Sequence, residues 1–496
     1  MSAAPQHIRH PDRFFIGGEW VEPSSRSRID VRDSATEEVF LSVAEAQVED
    51  VDRAVAAARK AFDHGPWPRM THEERAAWLN KIAEVWKNRA DAFADTWVRE
   101  SGVLHSIAKY AAVNPAATFR FHAGLADTFE WEEPHVTPDG LRAMLVREPV
   151  GVVGAIIPWN APNSLIAYKS AAALIAGCTV IAKASPEAPA SAYLLAEICE
   201  EIGLPAGVFN IVTADREVSE RLVRNPGVDK ISFTGSTAAG RRIGSICGER
   251  IARFTLELGG KSPAIILDDY DLDTAAQSIA QTARFLTGQV CSSLTRLIVS
   301  KRRHDDFVDA LASRFGKVQV GDPFAASSEM GPLAMARQRD RVESYIAKGR
   351  EEGARLATGG GRPAHLDRGY FIEPTVFAGV DNGSTIAREE IFGPVLSVIP
   401  ADSEEQAIEI ANDTIYGLNS SVFTNDPERA YAVARRIRAG TVGHNAFKTD
   451  FSISFGGFKQ SGSGGKAGPK GCIPTWKPRR SSSISGCRSP DPLASG

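Results

Sequence analysis

Apolar and polar positions follow two different rhythms along this chain, and each rhythm predicts its own kind of element. In the first part, Phe14 to Trp20 reads as short strands, Val51 to Phe62 repeats at helical spacing in an Ala-rich segment, and a second helix follows near Glu73 to Lys87. From Val150 onward, apolar runs of strand length alternate with helical stretches: Val150 to Ile157, Ala167 to Ala176, Thr179 to Lys183, Ala190 to Ile202, Phe209 to Val212, Val218 to Arg224 and Lys230 to Phe233. Such alternation predicts βαβ units, hence an α/β fold with a parallel sheet. Ligands of these sheets bind at the carboxyl ends of the strands, so the loops after Ile157, Lys183, Val212 and Phe233 are expected to line a nucleotide crevice. A second α/β run covers Ala264 to Val299, a helix at Arg303 to Phe315, and continues to Val442. Between the first helices and the sheet, Thr128 to Val150 holds Pro134, Pro138, Asp139 and Gly140 between strand-like flanks, the pattern of a hairpin that leaves the domain body.

Composition narrows the class. A chain of 496 residues exceeds what one core supports, which predicts two or three domains. The apolar fraction of 43% and charged fraction of 24% are those of ordinary globular proteins and argue against disordered, collagen-like and membrane classes. The most apolar runs, Val150 to Pro158 and Ala171 to Ala182, are too short to span a bilayer. A net charge of -4 without basic blocks gives no electrostatic reason to expect nucleic acid or an anionic membrane as partner. Met1 to Gly18 has no apolar stretch of signal-peptide length. Cys178, Cys199, Cys247, Cys291, Cys472 and Cys487 show neither metal-ligand nor disulfide-framework spacing, which fits a reducing cytoplasm.

A few residues stand where chemistry is expected. Cys291 lies in Gly288-Gln289-Val290-Cys291-Ser292, on a turn after the helix-like Asp273 to Phe285, where backbone N–H groups and partial exposure are expected to lower a thiol's pKa. Taken alone it is as well explained as a core cysteine, and Cys178, Cys199 and Cys247, inside apolar periodic stretches, read as core. Glu257 ends the apolar stretch from Phe254 and precedes Gly259 and Gly260. Desolvation there suits a general base, against the alternative of a helix-end or ion-paired carboxylate. Phe233 to Thr237, with Gly235 and Ser236, follows a strand and opens a helix, so its N–H groups can meet a phosphate; a plain tight turn is the alternative, and the fingerprint of three spaced glycines is absent. Trp159 and Asn160 end a strand and put an indole N–H and an amide in the crevice, or cap the loop.

Taken in order, these segments resemble the aldehyde dehydrogenase superfamily from Phe15 to about Gly471. The resemblance rests on Pro158-Trp159-Asn160, Lys183 within Ile181 to Glu187, Phe233 to Thr237, Leu256 to Lys261, Gly288 to Cys291, Glu389 to Val395, and Phe455 to Gly462. It implies oxidation of an aldehyde to a carboxylic acid through a cysteine thiohemiacetal and a thioester hydrolysed by water. Cys291 matches the nucleophile, Glu257 the base, and Asn160 the amide that holds the oxyanion. Trp159, Lys183, Glu187, Gly235, Ser236, Glu390 and Phe392 match contacts to NAD. The implied domains are a Rossmann-like cofactor domain (1–127 and 150–258), a second α/β catalytic domain (259–447), and an oligomerisation hairpin with a C-terminal segment (128–149 and 448–496). A homodimer or homotetramer and a small aldehyde substrate are implied, with no metal.

Departures from the pattern carry their own expectations. Arg284 stands where the family often has an aromatic, Leu294 where it has a small residue, and Ala161 where many members carry an aromatic, which predicts a reshaped thiol pocket and a wider tunnel. Pro186 stands where a ribose-binding Glu is frequent, with Glu187 one step later, so NADP remains an alternative cofactor. Two other classes stay open. A cofactor-independent cysteine hydrolase needs a histidine base, for which only His444 offers itself, and a non-catalytic structural protein would not need Cys291, Glu257 and Asn160 together.

After Gly471 the resemblance stops. Read from the third base of each codon, Trp476 with Lys477 gives Glu, Thr475 with Trp476 gives Leu, Met or Val, and the codons around them allow Tyr before, then Thr and Lys after. Those letters spell the Tyr-Leu-Glu-Thr-Lys strand of the family. The reading frame is therefore expected to have shifted near Cys472, in the gene or in its recorded sequence; a naturally divergent tail is the alternative. Because the resemblance pairs that strand with the hairpin of a partner subunit, its loss is expected to leave an open sheet edge and a weakened assembly.

Overall fold

The computed structural model describes residues 7–449, 455–464 and 476–482. Its first sheet runs in the order Gly462–Ser463, Arg253–Glu257, Lys230–Thr234, Val152–Ile156, Thr179–Ala184, Phe209–Thr213. All these strands are parallel except Gly462–Ser463, which pairs antiparallel with Leu256 and Glu257. The chain starts in the middle at Val152, winds outward to Thr213, then returns to the other side of the first strand at Lys230. That reversal opens a crevice between the ends of Val152–Ile156 and Lys230–Thr234. Every residue of Val152–Ile156 is buried, as expected of a strand with helices on both faces. The helix Pro162–Ile175 packs on it with Ile166, Ala167, Ala171 and Leu174 in the core.

The second sheet has the order Arg355–Thr358, Thr375–Ala378, Val395–Ala401, Leu294–Ser300, Ser262–Ile266, Asn419–Phe423, Thr441–His444, and is parallel except at Arg355–Thr358. Gly260, Cys291 and Phe392 all lie just before its strands. The site therefore sits where the carboxyl ends of one sheet meet the amino ends of another, and only the first half of that geometry was expected.

The hairpin forms as predicted, from Glu132–Val136 and Arg142–Pro149 with Val136 facing Arg142. The expectation of an open edge is corrected: Trp476–Ser482 runs antiparallel to Arg142–Pro149 in the same chain, with seven paired positions from Trp476↔Pro149 to Ser482↔Ala143. A ladder uses only main-chain groups, and an edge strand tolerates Pro478, so a Pro/Arg/Ser sequence can still pair. Cys472 and Cys487 lie outside the described residues. Among the described residues, no helix is long and apolar enough to cross a membrane.

Candidate active site

Cys291 stands on the turn between the helix Leu272–Ala283 and the strand Leu294–Ser300. Leu286 and Thr287 take left-handed conformations (φ 48° and 54°), and Gly288 follows at φ 72°. Such backbone costs a side-chain-bearing residue ~1–2 kcal/mol, so neighbouring contacts must hold it. The Thr287 hydroxyl donates to the Gly331 carbonyl at 2.9 Å, and Gln289 Nε2 donates to the Leu286 carbonyl at 2.9 Å. The thiol is left half-buried, packed with Leu418, Phe455 and Tyr168. Its acidity runs against the sequence expectation. Burial pushes the thiol pKa up, and the carboxylates of Glu257 and Glu390 push it the same way, outweighing the backbone N–H groups of Ser292 and Cys291.

Glu257 ends the strand Arg253–Glu257, is 3% exposed, and accepts the Gly235 N–H on its main-chain carbonyl at 3.1 Å. The chain then crosses to the second sheet through Gly259 and Gly260. A Cβ on Gly259 would lie 2.4 Å from Glu390 Oε2, and one on Gly260 would lie 2.3 Å from the Cys291 carbonyl oxygen. Only glycine lets the backbone pass, and the passage brings the segment after Glu257, the Cys291 turn and Glu390 to one point. The Gly260 N–H donates to Glu390 Oε1 at 3.0 Å. Burial raises the Glu390 carboxyl pKa to about 7, against the opposing pull of that N–H, Arg341 and Lys261.

Asn160 meets the Cys291 turn from the first sheet: its Nδ2 donates to the Gln289 carbonyl at 3.0 Å, while its own carbonyl accepts Trp97 Nε1 at 3.0 Å. The Trp159 carbonyl accepts the Ser101 hydroxyl at 2.7 Å, and its ring meets that of Phe392 edge-on, centroids 5.3 Å apart. Lys183, 7% exposed on Thr179–Ala184, reaches the Ala214 carbonyl at 3.4 Å; burial brings its pKa down to about 8, moderated by Glu187 and Asp215. For Glu187, burial opposes ionisation, but the Ser185 hydroxyl and Arg337, at 2.6 Å, hold the carboxyl below its ordinary pKa. Ser236 caps the helix Thr237–Glu249, accepting the Ala239 N–H. Ser101 and Arg337 were not anticipated, because a helix end and an exposed arginine leave no mark in the hydrophobic pattern.

The departures resolve individually. Arg284 turns to an ion pair with Glu329, and Leu294 is 3% exposed in the core against the second sheet with Ala283 and Leu297. Ala161 packs beside Val290 and Trp97. Cys178, Cys199 and Cys247 are buried. His444 Nε2 is 3.0 Å from the Thr424 carbonyl. Thr424 follows the strand Asn419–Phe423, whose first residue reaches the Ser292 carbonyl at 3.2 Å through Nδ2. His444 pairs with Val422, three residues along the strand from Asn419, which sets it about 10 Å along the sheet from the thiol turn.

A model of the aldehyde dehydrogenase family matches residues 20–476. The chain belongs to the aldehyde dehydrogenase family. It is similar to geranial dehydrogenase of Castellaniella defragrans, 44% identical over 471 residues, which cover 95% of this chain and 97% of that one. It is also similar to 3-succinoylsemialdehyde-pyridine dehydrogenase of a Pseudomonas species, 42% identical with coverage of 94% and 97%. A solved aldehyde dehydrogenase of Mycobacterium tuberculosis, complexed with NAD+, superposes with a TM-score of 0.93 at 44% identity, covering 96% of this chain and 99% of that one. A cysteine-to-alanine mutant aldehyde dehydrogenase of Pseudomonas syringae, with NAD+ and octanal, gives 0.92 at 38% identity, with coverage of 96% and 98%. The α/β fold with parallel sheets and the assignment as an enzyme that oxidises aldehydes to acids thus stand as the sequence led us to expect. The hydrolase and structural-protein alternatives are not favoured.

Proposed function

We propose that this aldehyde dehydrogenase works with NAD through Cys291 as nucleophile, Glu257 as base and Asn160 as oxyanion donor. The observation that carries the reading is the Gly259-Gly260 crossing, which packs the strand of Glu257, the Cys291 turn and Glu390 together. The Cys291 thiol gives its proton to solvent as the aldehyde arrives, and sulfur adds to the carbonyl carbon. Charge then develops on oxygen, where the Asn160 amide and the Cys291 N–H receive it; one such donor is worth ~2.7–4 kcal/mol.

The donor set in the crevice suits a dinucleotide. Trp159 offers an indole N–H, Lys183 an ammonium, and Gly235 and Ser236 the opening of a helix for pyrophosphate, with Glu187 and Glu390 for ribose hydroxyls and Phe392 beside them. When bound, NAD supplies the hydride acceptor. Loss of hydride from the tetrahedral adduct leaves a thioester on Cys291. Glu257 then activates the water that releases the acid. Glu187 favours NAD over NADP, since a carboxylate repels a 2′-phosphate.

Six cysteines without disulfide-framework spacing fit a reducing cytoplasm. A homodimer or homotetramer through the hairpin accounts for Val136 and Leu141 standing 75% and 50% exposed there. With octanal as probe, Cys291→Ala is expected to abolish NADH formation while NAD binding stays within about twofold. Glu257→Gln is expected to keep a stoichiometric burst of NADH and lose steady-state turnover. Residual turnover in the first variant, or loss of the burst in the second, would overturn the corresponding role.

A further inference from the structure

Gln289 is 1% exposed, and every hydrogen-bonding group it owns is engaged. Its N–H donates to the Leu286 carbonyl at 3.0 Å. Its Nε2 donates to the Leu286 and Ser101 carbonyls at 2.9 and 3.4 Å, and its Oε1 accepts the Ala334 N–H at 3.0 Å. Its own carbonyl accepts Asn160 Nδ2 at 3.0 Å. These contacts span the left-handed run Leu286, Thr287 and Gly288, where a Cβ on Gly288 would lie 2.4 Å from the backbone of Gly393. Two residues later the chain reaches Cys291.

We propose that Gln289 is the positioning residue that aims the Asn160 amide at the oxyanion. The inference rests on the reading of Asn160 as oxyanion donor. A primary amide has two N–H bonds on one nitrogen. A carbonyl can only accept, so the nitrogen of Asn160, not its oxygen, must face Gln289. One N–H is committed there, which fixes the plane of the amide, and the other is left for the substrate oxygen. The aim is as firm as the Gln289 carbonyl, and that carbonyl is immobilised from both ends of its own side chain. Ser101 extends the link, since its hydroxyl holds the Trp159 carbonyl while its carbonyl accepts from Gln289. One buried glutamine thereby sets the nucleophile turn and the oxyanion donor in register across two sheets.

The test is a double-mutant cycle read in a single turnover, with octanal as aldehyde and NADH as signal. Gln289→Met keeps the bulk and removes the side-chain hydrogen bonds. It is expected to slow the NADH burst about 10- to 100-fold, the scale of an ångström of misplacement, with the Kd for NAD unchanged within about twofold. In an Asn160→Ala background the same substitution is expected to cost less than about threefold, because the amide it aims is gone. An undiminished loss in that background would overturn the inference. A burst of wild-type rate in Asn160→Ala alone would instead overturn the oxyanion assignment. Gln289→Glu provides a test that does not depend on the Met variant folding. Protonated, its one O–H still donates to the Leu286 carbonyl; ionised, it faces the Leu286 and Ser101 carbonyls with a charge. Its burst rate is expected to fall relative to wild type as pH rises, and a constant ratio would count against the proposal.

Discussion

Two carboxylates oppose the ionisation of Cys291, and neutralising one of them should be visible without any substrate. Glu390→Gln is expected to move the pH profile of iodoacetamide alkylation of the cofactor-free enzyme to lower pH, since one negative neighbour disappears. A profile that stays in place would mean that Glu390 does not bear on the thiol. Glu100 offers a prediction about stability. It is fully buried, accepts the Ala190 N–H at 2.8 Å, and burial raises its pKa from 4.5 to about 8. Below pH 4.5 both folded and unfolded chains hold its proton. Above that the unfolded chain releases it first, so this group's contribution to stability falls as pH rises towards 8, by at most about 1.4 kcal/mol per pH unit. Glu100→Gln keeps the acceptor and removes the slope, so its urea midpoint should drop less between pH 5.5 and 8 than that of wild type. The identities of Cys291, Glu257 and Asn160 were legible in the sequence because each belongs to a short ordered motif. The direction of the thiol's pKa was not, because it depends on carboxylates brought up from residues 257 and 390 by tertiary packing.

At the scale of elements, the strands of the first sheet were legible to within a few residues, because a strand covered on both faces must be apolar throughout, as Val152–Ile156 and Thr179–Ala184 are. The helices Ala90–Ser101 and Asn114–Ala123 were not. Asn114–Ala123 buries Pro115, Ala116, Thr118, Phe119 and His122, positions that mix polar with apolar residues and leave no clean stripe to read. The C-terminal strand could not be foreseen from residue type, since its pairing is carried by main chain alone. Removing residues 472–496 is expected to bare the edge of Arg142–Pro149 and increase light scattering on storage, while NAD binding persists. Sequencing the DNA across codons 468 to 480 tests the frame itself. An intact frame encoding this tail, in a tight monodisperse assembly, would show the shift to be wrong.

The assembly belongs to the molecule as a whole. Val136 and Leu141 sit on the hairpin with large apolar exposure, which a subunit contact would remove. Val136→Asp with Leu141→Asp is expected to lower the mass seen by light scattering while leaving the fold of the protomer intact; an unchanged mass would place the interface elsewhere. The proposed catalytic groups are drawn from the ends of one sheet and the beginnings of another, so their geometry is only as fixed as the relation between the two. One seam that secures that relation lies beside Glu257. Leaving Glu257, the chain crosses outward through Gly259 and Gly260, and it comes back at Ser461 to Ser463. There the Ser461 hydroxyl donates to the Gly259 carbonyl and accepts the Gly417 N–H at 2.9 Å, while the Leu258 N–H donates to the Ser461 carbonyl at 2.9 Å. A joint crossed once can swing like a door, but one sewn through in both directions at the same seam cannot. Cofactor is therefore expected to slide in and out along the crevice past a frame that opens little, with the movement of turnover carried by side chains and loops within it.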